Sequence, residues 1–245
     1  MPELSRETVA FLFTDIEGST RLLQTLGDEY PNAVHEHRRL LSEAVEQAGG
    51  VVYGVLGDEV SAVFGTGLEA VAAAIFAQRS FASAAWPGGA NLRVRVGIHI
   101  GRPAGDPGEY LGLDVHRTAR ICSVGHGGQV LMSAAVHDAV GDALAAGSTL
   151  RDLGTHHLKD LPEPEHLFQL VTAGVRNDFP SVRTGDQEPA PKSQPRRRTR
   201  ELAGSLQRAV KALHRRSYLS SLETDRVAAS EKYFSSRWNR EEFPR

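Results

Sequence analysis

Residues 9–20 read Val9-Ala10-Phe11-Leu12-Phe13-Thr14-Asp15-Ile16-Glu17-Gly18-Ser19-Thr20. The apolar run from Val9 to Phe13 predicts a buried strand. The strand ends at Thr14-Asp15, and Gly18-Ser19-Thr20 predict a helix start with Ser19 or Thr20 as its N-cap. A carboxylate at a strand end, followed at once by free helix amides, suits a metal–triphosphate. The same residues also fit a simpler role, in which Asp15 only caps the helix.

A hairpin carries the second candidate acid. Val51 to Leu56 and Val60 to Phe64 predict two strands, and Gly57-Asp58-Glu59 predict the turn between them. An acid at a hairpin tip usually serves only the turn. If the hairpin lies beside the first strand, however, Asp58 and Asp15 converge at one edge of the sheet. Two carboxylates and a set of phosphates are what a pair of Mg²⁺ ions requires.

The third motif is Gly112-Leu113-Asp114-Val115-His116-Arg117-Thr118-Ala119-Arg120. A helix is predicted from about Leu113 to Ser123. His116 and Arg120 are four residues apart and therefore share one face of it. Two donors on one face can clamp a phosphate in a charged transition state. The alternative is a surface face that is simply basic.

The order of the remaining elements predicts the fold class. Hairpins mix with crossover helices, which is typical of an α+β domain with one mainly antiparallel sheet and helices packed on it. Further helices are expected at residues 32–47, 68–81 and 134–140, and further strands at residues 92–100, 129–132, 150–153 and 166–171.

Composition bounds the class of protein. The chain has 245 residues, 40% of them hydrophobic and 24% charged, which suits one sizeable domain with an appendage. We expect a domain at residues 1–175, a linker at 176–195 and a tail at 196–245. The single cysteine, Cys122, excludes an internal disulfide framework and a cysteine-based zinc cluster. The sequence has neither a signal peptide nor an apolar run of about 20 residues, so we expect a cytoplasmic protein.

The charge is distributed unevenly. Residues 191–216 contain nine basic residues and one acid, while the whole chain has a net charge of −2 and residues 217–245 are balanced, so the first 190 residues carry −10. An acidic domain makes nucleic acid an unlikely partner for it. The tail, in which Leu202, Leu206 and Leu213 recur at helical spacing, fits a basic amphipathic helix. Four alternatives stay open for this tail: binding to an anionic membrane surface, binding to an acidic protein, packing on its own acidic domain, or disorder.

The three motifs, in this order, resemble the class III adenylate and guanylate cyclase catalytic domain over roughly residues 8–171. Residues 13–20 are similar to a signature of bacterial members, and Gly57-Asp58 before Ala62-Val63-Phe64 resembles the second metal site. Residues 110–120 resemble the helix at the family's dimer interface. Residues 151–168 resemble the closing strands of a bacterial subgroup, in which an ATPase and a DNA-binding domain often follow; we expect neither in this chain.

The resemblance implies a ferredoxin-like cyclase fold and a two-metal mechanism at a homodimer interface. Two Mg²⁺ or Mn²⁺ ions per site would be bound by Asp15, Asp58 and the backbone carbonyl of Ile16. The ribose 3′-oxygen would attack the α-phosphorus, and pyrophosphate would leave. His116 and Arg120 would stabilise the α-phosphate. The remaining substrate-binding residues would be Gly18, Ser19, Thr20, Glu109 and Lys159.

Two positions depart from the family. Gly54 stands where the family has a base-reading lysine, and His116 replaces its transition-state asparagine, whereas Glu109 keeps an acid at the partner position. We therefore expect ATP as substrate, with GTP as the alternative, and weak discrimination between them. The competing hypothesis is a catalytically weak or silent cyclase-like module that binds a nucleotide and a partner. A DNA-binding regulator has only the basic tail in its support.

Overall fold

A seven-stranded mixed sheet forms the centre of the computed structural model, which describes residues 8–104, 110–141 and 143–184. The strands are β1 (Val9–Ile16), β2 (Val51–Leu56), β3 (Glu59–Phe64), β4 (Val94–Gly101), β5 (Val130–Ser133), β6 (Ser148–His156) and β7 (Glu165–Thr172). The helices are α1 (Ser19–Leu26), α2 (Tyr30–Gln47), α3 (Gly67–Ser83), α4 (Leu113–Val124) and α5 (Ala134–Val140). Short 3₁₀ turns cover Gly27–Glu29 and Pro87–Gly89.

The strands lie in the order β2-β3-β1-β4-β5-β7-β6. Only the β4–β5 pair is parallel among the described strands, because α4 crosses over between them, and the other neighbours run antiparallel. This arrangement confirms the predicted α+β class and the mainly antiparallel sheet. It also places β1, the first strand of the chain, between β3 and β4 in the interior of the sheet.

Helices cover both faces of the sheet. Successive side chains of β1 point to opposite faces, so Ala10 and Leu12 join the core with α2, α3 and α5. Phe11 lies on the other face, against Tyr110 and against Val115 of α4. In the β1–β3 register Thr14 is opposite Val60, so the end of β1 and the β2–β3 turn lie at the same edge of the sheet.

The start of α1 differs from the prediction. We expected Ser19 or Thr20 as the N-cap, but Gly18 precedes the helix, and neither hydroxyl makes a capping hydrogen bond. Gly18 has φ of 68° and ψ of 31°, a left-handed conformation that glycine adopts at little cost. The chain therefore turns sharply at Gly18, and the expected side-chain cap is wrong. Elsewhere the predicted elements appear with their ends shifted by a few residues.

Residues 173–184, which we call the strap, follow β7 and pack back on the domain. Val182 is buried with Ile121 and Leu167, although the sequence assigned residues 176–195 to a linker. Glu109, residues 185–195 and the tail at 196–245 lie outside the described residues. Within the described part of the chain, no helix combines the length and the apolarity needed to cross a membrane.

Candidate active site

Asp15 lies near the end of β1 and is only 8% exposed. One of its carboxylate oxygens forms an ion pair with Arg95 of β4, which also donates to the Ser123 carbonyl. The other oxygen, Oδ1, is buried without a hydrogen-bond partner among the described residues. A buried, unpaired carboxylate oxygen is costly unless a cation reaches it. Asp15 does not cap α1, and its free oxygen beside the Arg95 ion pair makes it a candidate cation ligand.

Asp58 lies in the turn between β2 and β3. Arg38 of α2 fixes this turn by donating from Nη2 to the Gly57 carbonyl, at 2.5 Å. Oδ2 of Asp58 is a second buried oxygen for which the described residues provide no partner. Burial, together with the negative charge of Asp58, raises the pKa of Tyr30 above its usual value. Asp58 therefore offers a buried carboxylate oxygen that the hairpin turn itself does not use.

The two orphaned oxygens fit a divalent cation site. The β1–β3 pairing brings Asp15 and the Asp58 turn to the same edge of the sheet. Over residues 8–104, 110–141 and 143–184, no three His, Cys, Asp or Glu side chains converge in a metal-binding group. The candidate ligands are the two carboxylates of Asp15 and Asp58, an open pair. An open pair leaves coordination positions for a backbone carbonyl, such as that of Ile16, and for phosphate oxygens.

The N-terminus of α1 adjoins this edge. Its first turn contains no acidic residue, and no side chain caps it. The first amides of a helix have no partner within the helix, so those of Ser19, Thr20 and Arg21 remain available. Such amides bind anions, and the helix dipole favours negative charge there. The phosphate-binding role of Gly18, Ser19 and Thr20 stays a prediction, with which this uncapped helix start is compatible.

The α4 residues form a separate group. His116 is exposed, and the guanidinium of Arg120 forms an ion pair with Asp160, in the segment between β6 and β7. Lys159 precedes Asp160 and is exposed. Within one chain, Arg120 thus pairs with the β6–β7 segment and not with Asp15 or Asp58. The structure brings the two candidate acids to the same edge of the sheet as the start of α1, and it brings Arg120 together with the Lys159 segment.

Several residues of the site escaped the sequence reasoning. Arg95 is partly buried in β4, and burial, with a smaller contribution from the charge of Arg183, lowers its pKa. Arg38, which fixes the Asp58 turn, was not considered. Both interactions depend on which strands and helices are neighbours, and no local pattern in the sequence reveals that.

Asp114, on the first turn of α4, organises the other end of β4. Its carboxylate accepts from the backbone N–H of Arg102 at 2.9 Å and from Arg117 at 3.0 Å, and it faces His99. His99 also contacts Ser133, at 2.8 Å. This network fixes the angle at which α4 leaves the sheet and therefore the direction in which His116 and Arg120 project.

Glu17 adjoins the metal-site residues and is also held tightly. Its backbone N–H donates to the Arg93 carbonyl at 2.9 Å, and its carboxylate forms an ion pair with Arg183 of the strap. Burial by itself would raise the pKa of Glu17, but the Gly127 N–H and the Arg183 guanidinium outweigh burial and lower it. Glu17 therefore stays ionised at neutral pH.

This geometry agrees with the match between the chain and known proteins. Residues 1–171 match the adenylate and guanylate cyclase catalytic domain. The chain belongs to that family. As a cyclase domain, it is 37% identical over 184 residues to an uncharacterised protein of Mycobacterium tuberculosis. The match covers 74% of this chain and 62% of that relative's length.

Solved cyclase structures share the fold. A Trypanosoma brucei adenylate cyclase, analysed in its monomeric state, is 26% identical, with a TM-score of 0.66 over 75% of this chain and 97% of that one. An adenylate/guanylate cyclase/hydrolase from Silicibacter pomeroyi is 27% identical, with a TM-score of 0.60 over 67% of this chain and 96% of that one. The likeness covers the sheet and the helices that carry the candidate site.

Proposed function

We propose that this cyclase domain converts ATP, or GTP as the alternative, into the 3′,5′-cyclic monophosphate and pyrophosphate. The observation that carries the proposal is the pair of orphaned buried oxygens, Asp15 Oδ1 and Asp58 Oδ2, at the sheet edge that also holds the start of α1. A metal–triphosphate satisfies both features at once. A cytoplasmic location, where nucleoside triphosphates are available, belongs to the same proposal.

In this proposal the reaction forms one P–O bond and breaks another. The ribose 3′-oxygen loses its proton to solvent water and attacks the α-phosphorus, and the bond from that phosphorus to the bridging oxygen of the leaving pyrophosphate breaks. Asp15, Asp58 and the Ile16 carbonyl would hold two Mg²⁺ or Mn²⁺ ions. Such ions, when bound, lower the pKa of the attacking hydroxyl and neutralise the triphosphate. The α1 amides would donate hydrogen bonds to phosphate oxygens, and these bonds would orient the triphosphate along the sheet edge.

The remaining groups would come from a second copy of the chain. Arg120 and His116 lie on α4, Arg120 pairs with Asp160 and not with Asp15 or Asp58 of its own chain, and it would stabilise charge on the α-phosphate. Exposed apolar side chains support a homodimer, since Leu56 is 58% and Leu111 62% exposed, and Val51, Val55 and Leu113 are exposed as well. In this arrangement neither chain alone holds a complete site.

The test is an assay of the purified full chain with Mn²⁺ and either ATP or GTP, in which the cyclic product is separated and quantified. Asp15→Asn and Asp58→Asn remove one negative charge each at nearly constant volume. Each should lower turnover by at least about 100-fold, because metal neutralisation of the triphosphate contributes several kcal/mol. Folding of each variant is checked by its melting temperature.

Asp28→Asn is the matched control, since Asp28 is an exposed acid just beyond α1 and should leave turnover unchanged. Wild-type turnover in a folded Asp15 or Asp58 variant would contradict the metal assignment. A wild-type chain that binds nucleotide but forms no cyclic product would favour the silent regulatory module, to which the exposed His116 and the side-chain-free Gly54 point.

A further inference from the structure

The strap lies beyond residues 1–171, which match the cyclase family, yet it is fastened to the domain along its length. Asn177 pairs through its side chain with both the N–H and the carbonyl of Thr172, at 3.1 and 2.9 Å. The ring of Phe179 stacks on that of His126 at 6.3 Å. Val182 is buried, and the N–H of Arg183 donates to the Val124 carbonyl at 2.9 Å. These contacts hold the end of the strap in one position.

That position puts the Arg183 guanidinium on the Glu17 carboxylate. Glu17 follows Ile16 directly and is two residues from Asp15, so it belongs to the segment that meets the metal–triphosphate in the proposed function. Its side chain is 26% exposed and that of Arg183 35%, so solvent screens the pair only in part. Arg183 is therefore the cation that neutralises the acid nearest to the metal-site residues.

An unpaired carboxylate at Glu17 would oppose substrate binding in two ways. Its negative charge would repel the triphosphate, and its oxygens would compete with phosphate for the metal ions. The ion pair removes both effects, since it neutralises the charge and, together with the hydrogen bond from the Gly127 N–H, holds the carboxylate in place. The site then presents its two productive features, the acid pair and the open amides of α1.

We propose that Arg183 is a positioning residue of the nucleotide site, which holds and neutralises Glu17 so that the segment from Asp15 to Ser19 binds the metal–triphosphate without a competing carboxylate. This inference rests on the proposed function. It assigns a role at the site to a residue outside the family's matched region, and that role acts through Glu17 and not through contact with substrate.

The experiment is a double-mutant comparison on the full chain. The probe is the methylanthraniloyl derivative of ATP with Mn²⁺, whose fluorescence reports binding without turnover. Arg183→Gln should raise the dissociation constant about threefold to tenfold, since it leaves a partly screened charge beside the phosphates. Arg183→Lys should raise it less. Adding Glu17→Gln to Arg183→Gln should return the constant to within about twofold of wild type, because the uncompensated charge is then gone.

Arg176→Gln is the control, because Arg176 is also a strap arginine but lies over the Phe179 ring, 4.7 Å from its centroid. It should leave probe binding within about twofold of wild type. If Arg183 only fastened the strap, the double variant would bind as weakly as Arg183→Gln and melt as early, which would overturn the proposal. Unchanged binding in Arg183→Gln would also overturn it.

If Arg183→Gln does not fold, the single variant Glu17→Gln tests the proposed role of Arg183. That variant leaves Arg183 without its carboxylate and should bind the probe at least as tightly as wild type; weaker binding would contradict the proposal. A wild-type chain that binds the probe but yields no cyclic product would overturn only the proposed function. A wild-type chain that does not bind the probe would overturn both.

Discussion

His37 of α2 is fully buried, and neither of its ring nitrogens has a hydrogen-bond partner within the described residues. The ring packs against Phe81, with 5.4 Å between centroids. Burial lowers the pKa of His37 to about 4, although the charge of Asp58 opposes the shift. The imidazole is therefore neutral in the folded protein at pH values where the unfolded chain already binds a proton.

We predict that His37 makes the fold sensitive to acid. Because the pKa in the folded protein lies below that in the unfolded chain, the effect is absent above pH 6.5 and grows as the pH falls toward 4. The shift costs about 3 kcal/mol of unfolding free energy when complete. His37→Leu should be tolerated at pH 7. It should also remove the acid-induced loss of unfolding free energy that His37 causes, as measured by urea unfolding between pH 7 and 4.

The control is His35→Leu, since His35 lies on the same helix but is exposed. As the pH is lowered, the unfolding free energy of this variant should decrease as much as that of the wild type. Equal pH dependence in the wild type and in His37→Leu would contradict the prediction.

At the scale of elements, the packing of α4 on β4 depends on Gly97. A Cβ at this position would lie 2.4 Å from the backbone nitrogen of Cys122 and 2.7 Å from its Cα. Both atoms belong to the backbone of α4, so the helix itself would have to move. The Asp114 network fixes the same helix at its other end, so little freedom remains to absorb the shift.

Gly97→Ala should therefore destabilise the domain by about 1–3 kcal/mol, the range typical of overpacking, as measured by urea unfolding. It should also lower cyclase turnover, because displacing α4 moves His116 and Arg120. Gly54→Ala is the matched strand control, since its nearest neighbour would be the Ser61 Cβ at 3.5 Å, and its stability should stay within about 0.5 kcal/mol of wild type. Equal stabilities of the two variants would rule out the close approach.

The elements were predictable because their signals are local. The Gly-Asp turn, for example, identified the β2–β3 hairpin. The acids Asp15 and Asp58 could be found for the same reason, since each lies at an element end. Arg95 could not, because its partner Asp15 is 80 residues away, and Arg183 could not, because Glu17 is 166 residues away. Such pairs depend on strand order and on the path of the strap, which no window of sequence encodes.

At the scale of the whole molecule, Arg120 does not pair with Asp15 or Asp58 of its own chain, and this leads to a prediction about the homodimer. If each site takes Asp15 from one chain and Arg120 from the other, mixing Asp15→Asn protein with Arg120→Ala protein should restore activity. Each heterodimer carries one intact site and one with both lesions. With equal amounts and random exchange, half of the dimers are heterodimers, so the mixture should approach about a quarter of wild-type activity.

A mixture of Asp15→Asn and Asp58→Asn proteins is the control, because both lesions then affect the same half of every site and no intact site forms. Subunit exchange is verified with differently tagged chains. If the mixture of Asp15→Asn and Arg120→Ala proteins stays inactive although the subunits exchange, the acids and the arginine of one site must come from the same chain.

The ion pair between Glu17 and Arg183 also has a consequence for biosynthesis. The ribosome makes Glu17 well before its partner Arg183, which comes 166 positions later. A nascent chain can thus form the β2–β3 hairpin and several helices while the acid beside the metal-site residues still lacks its counter-charge. Long-range contacts of this kind form late in folding. We therefore expect that a polypeptide still under translation cannot yet bind its nucleotide well, and that competence arises only after residue 183 has left the exit tunnel.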